Sequence, residues 1–208
     1  AKVRSAQAAA ALGSRLSAVG QAIGLRVALH ESDGTAPVGR GIGPALEAAD
    51  VLAVIRRAPA APTDLRDRAL DLAGRLLDMA PGASGKTGRA RAEKLLDSGA
   101  ADAKFMAICA AQGGFRDPGE APQRAEMLAP AAGYITAIDN RLIARIAKLA
   151  GAPRQQRAGV RLLVRVGEPV ETGQPLYEIH AETTGELAYA RAYAESHAGA
   201  LSLSEDTA

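Results

Sequence analysis

Three glycines alternate over residues 39–43, in the run Gly-Arg-Gly-Ile-Gly, and Pro44 follows them directly. Proline suits the first position of a helix, because its missing N–H would have had no partner there. Apolar residues at helical spacing from Leu46 to Ile55 continue that helix. Glycine-rich backbone in front of a helix gathers N–H groups and partial positive charge, and both favour an anion. The segment is therefore a candidate anion-binding loop.

The same glycines also suit a tight turn that packs against other backbone with no ligand present. Spacing alone leaves both interpretations open. The pattern is not the dinucleotide-binding fingerprint, because the glycines are spaced GxGxG and no acidic ribose-binding residue follows about 20 residues later. Before the loop, Leu25–Leu29 is predicted to be a strand, and residues 31–37 are predicted to be a polar turn.

Two cationic side chains and one histidine are candidates for the same site. Arg40 lies inside the glycine loop, where it could approach an anion or simply be solvated. His30 ends the predicted strand and could line a cleft together with Arg40 and Gly41, although a structural histidine is the alternative. Lys2 carries a compact cation suited to a phosphate or a carbonyl oxygen, but it lies at the end of the chain, where disorder is common.

The chain contains few histidines and only one cysteine, and their number and spacing indicate whether a metal site is present and which cellular compartment is expected. The histidines at positions 30, 180 and 197 lack the spacing of metal ligands, so no metal site is expected. Cys109 is the single cysteine, so an internal disulfide is excluded and a reducing compartment, the cytoplasm, is expected. Because Cys109 lies in an apolar helical run, we expect a buried and unreactive thiol.

Charge and composition exclude two classes of partner. The 208 residues carry a net charge of only +2, and aromatic residues make up 3%. This balance argues against a nucleic-acid partner, which requires phosphate neutralisation and stacking side chains. No window is long and apolar enough to span a bilayer, so no membrane partner is expected.

The first part of the chain is predicted to be rich in helices. Ser5 is a plausible cap for a helix that ends at Gly24, and a further helix covers residues 65–79 behind Thr63 or Asp64. Residues 88–111 hold two more helices joined near Ser98. These helices cover a sheet or form a small bundle. Their predicted core positions are Leu65, Leu72, Leu76, Leu95, Leu96, Phe105 and Ile108.

A Gly- and Pro-rich linker over residues 113–123 is predicted to separate this part from an α+β region. The later region alternates strand and helix patterns. The predicted strands are 134–138, 160–166, 175–180 and 201–203, and the predicted helices are 141–149 and 186–196. Residues 80–87 fit a relaxed phosphate-binding P-loop pattern, but a helix precedes them, so we interpret them as a helix–helix connector.

Several separated motifs carry a family resemblance. The run Gly-Arg-Gly-Ile-Gly-Pro-Ala-Leu-Glu-Ala at 39–48 resembles the corresponding loop of AMP phosphorylases and "type 2" thymidine phosphorylases. Residues 1–5, 105–114, 129–140 and 147–153 resemble further segments in the order of that family. The resemblance implies the C-terminal part of a phosphorylase. Residues 1–120 would be the end of its helix-rich α/β domain, and residues 124–208 a small α+β barrel-sandwich (hammerhead-like) C-terminal domain.

This resemblance implies phosphorolysis of thymidine or a related nucleoside, which yields the base and a (deoxy)ribose 1-phosphate. Inorganic phosphate is then the co-substrate, and no cofactor is needed. Lys2 would bind the substrate, whereas the family's catalytic groups correspond to positions upstream of Ala1. We therefore expect no catalytic residue in this chain and no activity from it alone, and we expect the full family protein to be a homodimer.

Two alternatives stay open. Pyrimidine nucleoside phosphorylases commonly read Gly-Asn where this chain has Gly43-Pro44. The proline version resembles the AMP phosphorylases and the type 2 enzymes, so AMP or another nucleotide is an alternative substrate to thymidine. Residues 167–176 resemble the hairpin of biotinyl and lipoyl carrier domains, which allows a non-catalytic interaction module. The carrier lysine would fall at about Thr183, and the last lysine in the chain is Lys148, so a carrier function is not expected.

Overall fold

The computed structural model describes residue 3 and residues 5–80 and 87–204. The chain forms two compact units, of which the first ends at Ala36 and the second begins at Pro37. Within the described ranges, no helix combines the length and apolar character that a bilayer span requires.

The first unit contains helix α1 (Ala6–Ala22), and its N-terminus is capped as predicted. The Ser5 side chain accepts a hydrogen bond from the N–H of Ala8, and Gly24 adopts a positive φ of 76° beyond the helix end. The strand predicted at Leu25–Leu29 is wrong: the segment packs its Val27 and Leu29 side chains against α1 but forms no ladder. Without a neighbouring strand in the described part of this unit, alternating apolar residues cannot become a strand.

The second unit begins with a helical region of four helices, α2 (Pro44–Ile55), α3 (Thr63–Met79), α4 (Gly88–Asp97) and α5 (Ala100–Ala111). They form a small bundle. All four predicted helices are confirmed, including the break between α4 and α5 and the start of α2 at Pro44. The buried apolar cluster that these helices share consists of Val54, Leu70, Ala92 and Leu96, with partly buried side chains such as Leu65 and Leu77 packed against it.

Four of the predicted core positions in these helices are wrong. The side chains of Leu72, Leu76, Leu95 and Ile108 are between 44% and 68% exposed. The backbones of α3 and α4 approach closely at Gly74, where an added Cβ would lie 2.6 Å from the nitrogen of Arg89. This contact turns the face of Leu70 and Gly74 inward, and the leucines of the other stripe are left outside.

The rest of the second unit is a C-terminal region of strands and two helices. Its elements are β2 (Gln123–Leu128), β3 (Gly133–Ile138), α6 (Asn140–Leu149), β4 (Gly159–Leu162), β5 (Pro169–Val170), β6 (Pro175–Ala181), α7 (Thr184–Ser196) and β7 (Leu201–Ser204). A short strand β1 (Gly41–Ile42) joins them. The two antiparallel sheets have the strand orders β1-β4-β6-β2 and β5-β3-β7.

The apolar core of the C-terminal region is continuous. Its largest fully buried side chains are Ile135, Ile143, Ile146, Val160, Val164 and Ile179. Asp139 caps helix α6, and its carboxylate accepts hydrogen bonds from the amides of Arg141 and Leu142 in the first turn. Those bonds hold the pKa of Asp139 below its usual value. The predicted α/β class is thereby confirmed at the level of helices with antiparallel sheets, and the hammerhead-like arrangement stays a prediction.

Candidate functional site

The backbone of the glycine loop, residues 39–43, requires glycine for steric reasons. Gly39 has a φ of 78°, and a Cβ there would lie 2.7 Å from Oδ2 of Asp50. Gly43 has a φ of 138°, and a Cβ there would overlap the carbonyl oxygen of Ala158. Both positions combine left-handed backbone with a close neighbour, which L side chains do not tolerate. The glycines therefore serve packing within the chain.

The N–H groups of this loop bind carboxylates of the chain itself. Asp50 Oδ2 accepts hydrogen bonds from the amides of Arg40 at 2.6 Å and Gly41 at 2.7 Å. The amide of Gly39 donates to Oδ2 of Asp64 at 3.1 Å. Asp50 lies on α2 and is only 5% exposed. Two aspartates of the chain thus accept hydrogen bonds from three successive amides, which the glycine spacing indicates as candidate donors to an external anion.

Two amides at the N-terminus of α2 are also paired within the chain. Glu47 Oε1 accepts from the amide of Gly43 at 3.1 Å, and Ala45 donates to the carbonyl oxygen of Gln156 at 2.9 Å. Pro44 has no N–H to offer. Of the two interpretations that the glycine spacing allowed, the structure favours the packed turn over an open anion cradle.

The loop continues into the C-terminal sheet through β1. Gly41 lies opposite Arg161 and Ile42 opposite Val160, and the amide of Leu162 donates to the carbonyl of Arg40 at 2.8 Å. The glycine loop is thus the joint between the helical region and the C-terminal region. A strand of two residues has no periodicity, so the sequence held no signal for it.

Two open clefts flank this joint. The larger, of about 470 Å³, lies between the start of α2 and the end of α6, and its lining includes Lys148, Glu47 and Pro153. The smaller, of about 310 Å³, is lined by Gly41 and Asp50 together with apolar side chains of α2 and α3. Both clefts are open to solvent, and their walls are mainly apolar.

The predicted site residues fall in different places. Arg40 is half-buried beside the buried Gly41, and Gly41 lines the smaller cleft. His30 is half-buried in the first unit, whereas Arg40 and Gly41 belong to the second. Lys2 lies outside the described residues, and so do positions 81–86 of the P-loop-like segment, which α3 and α4 flank.

Asp50 and Asp64 were not predicted as site residues from the sequence, although the position of Asp50 in its helix indicates a buried carboxylate. It lies four residues from both Leu46 and Val54, so it is on the buried stripe of α2. A carboxylate on such a stripe needs donors, and a glycine loop nine residues earlier can supply them. Asp64, at the start of α3, looks in the sequence like an ordinary helix-capping residue.

A buried histidine lies on the C-terminal sheet. His180 of β6 is 3% exposed, and its Nε2 lies 2.6 Å from Oε2 of Glu178, without hydrogen-bond geometry at either ring nitrogen. Burial lowers the pKa of His180 below its usual 6.5, although the Glu178 carboxylate acts in the opposite direction.

No group of three or more metal-ligating side chains occurs among the residues that the structure describes. Cys109 is a free thiol and is half-buried, so the prediction of a buried thiol is met only partly. Thr183 caps α7, where its hydroxyl oxygen accepts from the amide of Glu186 at 3.2 Å. The position that would correspond to a carrier lysine is therefore the start of a helix.

Comparison with known proteins finds a family model that resembles part of the C-terminal region. Residues 134–198 match the family model described as "Pyrimidine nucleoside phosphorylase C-terminal domain". The resemblance to the C-terminal part of the thymidine phosphorylase family is confirmed.

Relatives extend the similarity to the glycine loop and α1. "Putative thymidine phosphorylase 1" of Acidovorax sp. (strain JS42) is 52% identical over 206 residues, which are 99% of this chain and 40% of that protein. "Putative thymidine phosphorylase" of Polaromonas sp. is 54% identical over the same shares. That of Hahella chejuensis is 50% identical over 207 residues, which are 41% of its length. The chain thus spans about 40% of the length of these relatives.

Proposed function

We propose that this chain is the C-terminal part of a phosphorylase that acts on thymidine or a related nucleoside. Phosphate attacks C1′ of the sugar, the bond to the base breaks, and the products are the base and (deoxy)ribose 1-phosphate. The observation that carries the proposal is identity of 52% over 99% of the chain with a relative whose name contains that activity.

Within such an enzyme this chain would supply one edge of the site and its support. The reaction needs an anion site, groups that hold the sugar, and a donor for the departing base. The loop amides are already paired with Asp50 and Asp64, so they are not the phosphate site. Side-chain cations are the remaining candidates in this part of the chain. We propose that Lys2 binds the substrate, and that Arg40 contributes to the smaller cleft, which Gly41 lines within the second unit.

We further propose that the 208 residues alone do not catalyse phosphorolysis. The amides of the glycine loop are engaged, and no segment of this chain resembles the phosphate loop or the proton donor of the family. The expected result is no release of thymine from thymidine by the purified chain, with phosphorolysis by the full polypeptide that its gene encodes. Turnover by the 208-residue chain would contradict this assignment.

AMP is the second candidate substrate, because the loop reads Gly43-Pro44 where the pyrimidine enzymes commonly have Gly-Asn. Thymidine, uridine, AMP and CMP should be compared as kcat/KM with the full polypeptide and inorganic phosphate. A preference for the 5′-phosphorylated substrates would assign a nucleotide phosphorylase, and a preference for the nucleosides a thymidine-type enzyme.

A non-catalytic module is the third candidate, since residues 167–176 resemble the hairpin of carrier domains. Thr183 begins a helix and offers no amine for a prosthetic group. No phosphorolysis of any of the four substrates by the full polypeptide would favour this candidate over both enzymes. Cytoplasmic location and a homodimer remain expectations for the full polypeptide.

A further inference from the structure

Asp64, the second residue of α3, connects three separate segments of the second unit. Its Oδ2 accepts from the amide of Gly39 at 3.1 Å, and its Oδ1 accepts from Nη2 of Arg165 at 3.0 Å. The second contact joins residues that are 101 positions apart in the chain. One carboxylate therefore links the glycine loop, the start of α3 and the C-terminal region.

Arg165 lies in a turn that is fixed to the C-terminal core. The amide of Gly167 donates to the carbonyl of Ile135 at 2.7 Å, and the amide of Ile135 donates to the carbonyl of Glu168 at 3.0 Å. Glu168 also accepts from the amide of Arg165 through its side chain, at 2.9 Å. Ile135 itself is fully buried in β3. The guanidinium of Arg165 thus projects from a rigid support.

The Arg165 guanidinium depends on Asp64 for charge compensation. Its Nε atom is buried without a hydrogen-bond partner, and its side chain is 30% exposed, against 35% for Asp64. A cation that has lost part of its water is stabilised by a carboxylate more than an exposed one is. Asp64 also lies in the first turn of α3, where the helix dipole favours its negative charge.

We propose that Asp64 is a positioning residue, and that the Asp64–Arg165 ion pair is a latch that sets the position of the glycine loop against the C-terminal region. Asp50 holds the second and third amides of the loop from α2, and the latch holds the first amide from the C-terminal side. Arg40 provides one of the two amides that Asp50 holds, and it directly follows Gly39, whose amide Asp64 holds. The latch therefore fixes the backbone that carries a cation proposed above for the smaller cleft.

Amide hydrogen exchange of the 208-residue chain tests the latch without any need for activity. Arg165→Met removes the latch but touches no loop amide. It should accelerate exchange at residues 39–41 about fivefold or more, while the amides of β3 and β6 keep their rates. Arg165→Lys retains the charge and should stay within about twofold of the wild type.

Arg89→Met is the matched control, because it removes the exposed ion pairs of Arg89 with Asp67 and Asp71 on α3 with the same change of charge as Arg165→Met. It should leave exchange of the loop unchanged. Unchanged exchange at residues 39–41 in Arg165→Met would overturn the proposal. So would acceleration of all amides of the second unit together, because that would indicate a general contribution to stability.

The effect on turnover rests on the proposed function and is measured in the full polypeptide. Arg165→Met should raise KM for phosphate or the nucleoside about fivefold with kcat within about twofold, because a binding cation is displaced while the reacting groups are not. Arg165→Lys should restore KM. Absence of phosphorolysis in the wild type would contradict the proposed function but leave the exchange result to decide the latch. An unchanged KM alongside accelerated exchange would overturn the link to substrate.

Discussion

The C-terminal region and the helical region of the second unit are stabilised by different interactions. The C-terminal region encloses a continuous core with fully buried isoleucines such as Ile135, Ile146 and Ile179. Helices α2–α5 share a smaller cluster of four buried apolar residues with partly buried side chains around it, and they add surface ion pairs, among them Arg66 with Glu93 and Asp97. Apolar burial contributes far more than exposed ion pairs, so the glycine loop joins a strongly packed region to a weakly packed one.

The largest expected effect is in the C-terminal core. Ile146→Ala should lower the free energy of unfolding by about 2–5 kcal/mol, because it removes a fully buried side chain and leaves a cavity. Urea unfolding measures this change. The control is Leu76→Ala in α3, which removes a side chain that is 68% exposed and should cost far less. Equal losses in the two variants would mean that the regions are packed alike.

The second largest loss of stability is expected for substitutions in the glycine loop's attachment to α2. Asp50→Ala leaves the amides of Arg40 and Gly41 without their acceptor, at a cost of about 1–3 kcal/mol for each amide that stays buried. Asp50→Asn retains an acceptor oxygen and should lose less. Thermal unfolding compares the two variants, and an alanine variant as stable as the asparagine variant would show that the carboxylate does not hold the loop.

Acid should weaken the C-terminal region through His180. Burial lowers its pKa in the folded chain below 6.5, so the unfolded chain binds more protons, and stability falls as pH drops below about 6.5 until the lower folded pKa is reached. The groups that face its ring are Glu178 on β6, Arg124 on β2, Arg161 on β4 and Glu120 in the preceding segment.

His180→Asn should flatten this dependence between about pH 7.5 and 5.5, which urea midpoints at several pH values would measure. His197→Asn is the control, because His197 is exposed at the end of α7. If the wild type gains stability on acidification over this range, the direction argued here is wrong.

The smallest effect is expected for the ion pairs of the helical region. Arg66→Met removes the contacts to Glu93 and Asp97, and since all three side chains are 30% exposed or more, the loss should be about 0–1 kcal/mol. Repeating the unfolding at about 1 M salt should abolish even that difference, because salt screens exposed charges. A loss comparable to that of Ile146→Ala would mean that ion pairs, not burial, stabilise this region.

Local signals in the sequence predicted the elements well, and nonlocal contacts explain what was missed. Pro44 marks the start of α2, Gly24 the end of α1, and Ser98 the break between α4 and α5, because each acts within its own turn. The predictions of a strand at Leu25–Leu29 and of buried leucines in α3 were wrong, because they depended on contacts outside the local turn. Whether alternating apolar residues form a strand, or which helix stripe is buried, depends on a neighbour distant in sequence.

The candidate site shows the same limit. The glycine spacing correctly predicted a loop that gathers backbone donors in front of a helix, yet it could not identify their acceptor. Asp50 lies within the same segment, but Asp64 and Arg165 become neighbours only through the fold. The role of the loop as a joint also depends on the pairing of Gly41 with Arg161 across the C-terminal sheet.

The central claim is that the chain's own carboxylates hold the amides of the glycine loop. Hydrogen exchange at residues 39–41 in the ligand-free 208-residue chain tests it most directly. We expect slow exchange without phosphate and no further slowing when phosphate is added. In Asp50→Ala we expect fast exchange of Arg40 and Gly41, whose amides Asp50 binds. Fast exchange in the ligand-free wild type that becomes slow on addition of phosphate would contradict it, because the loop would then be an anion site.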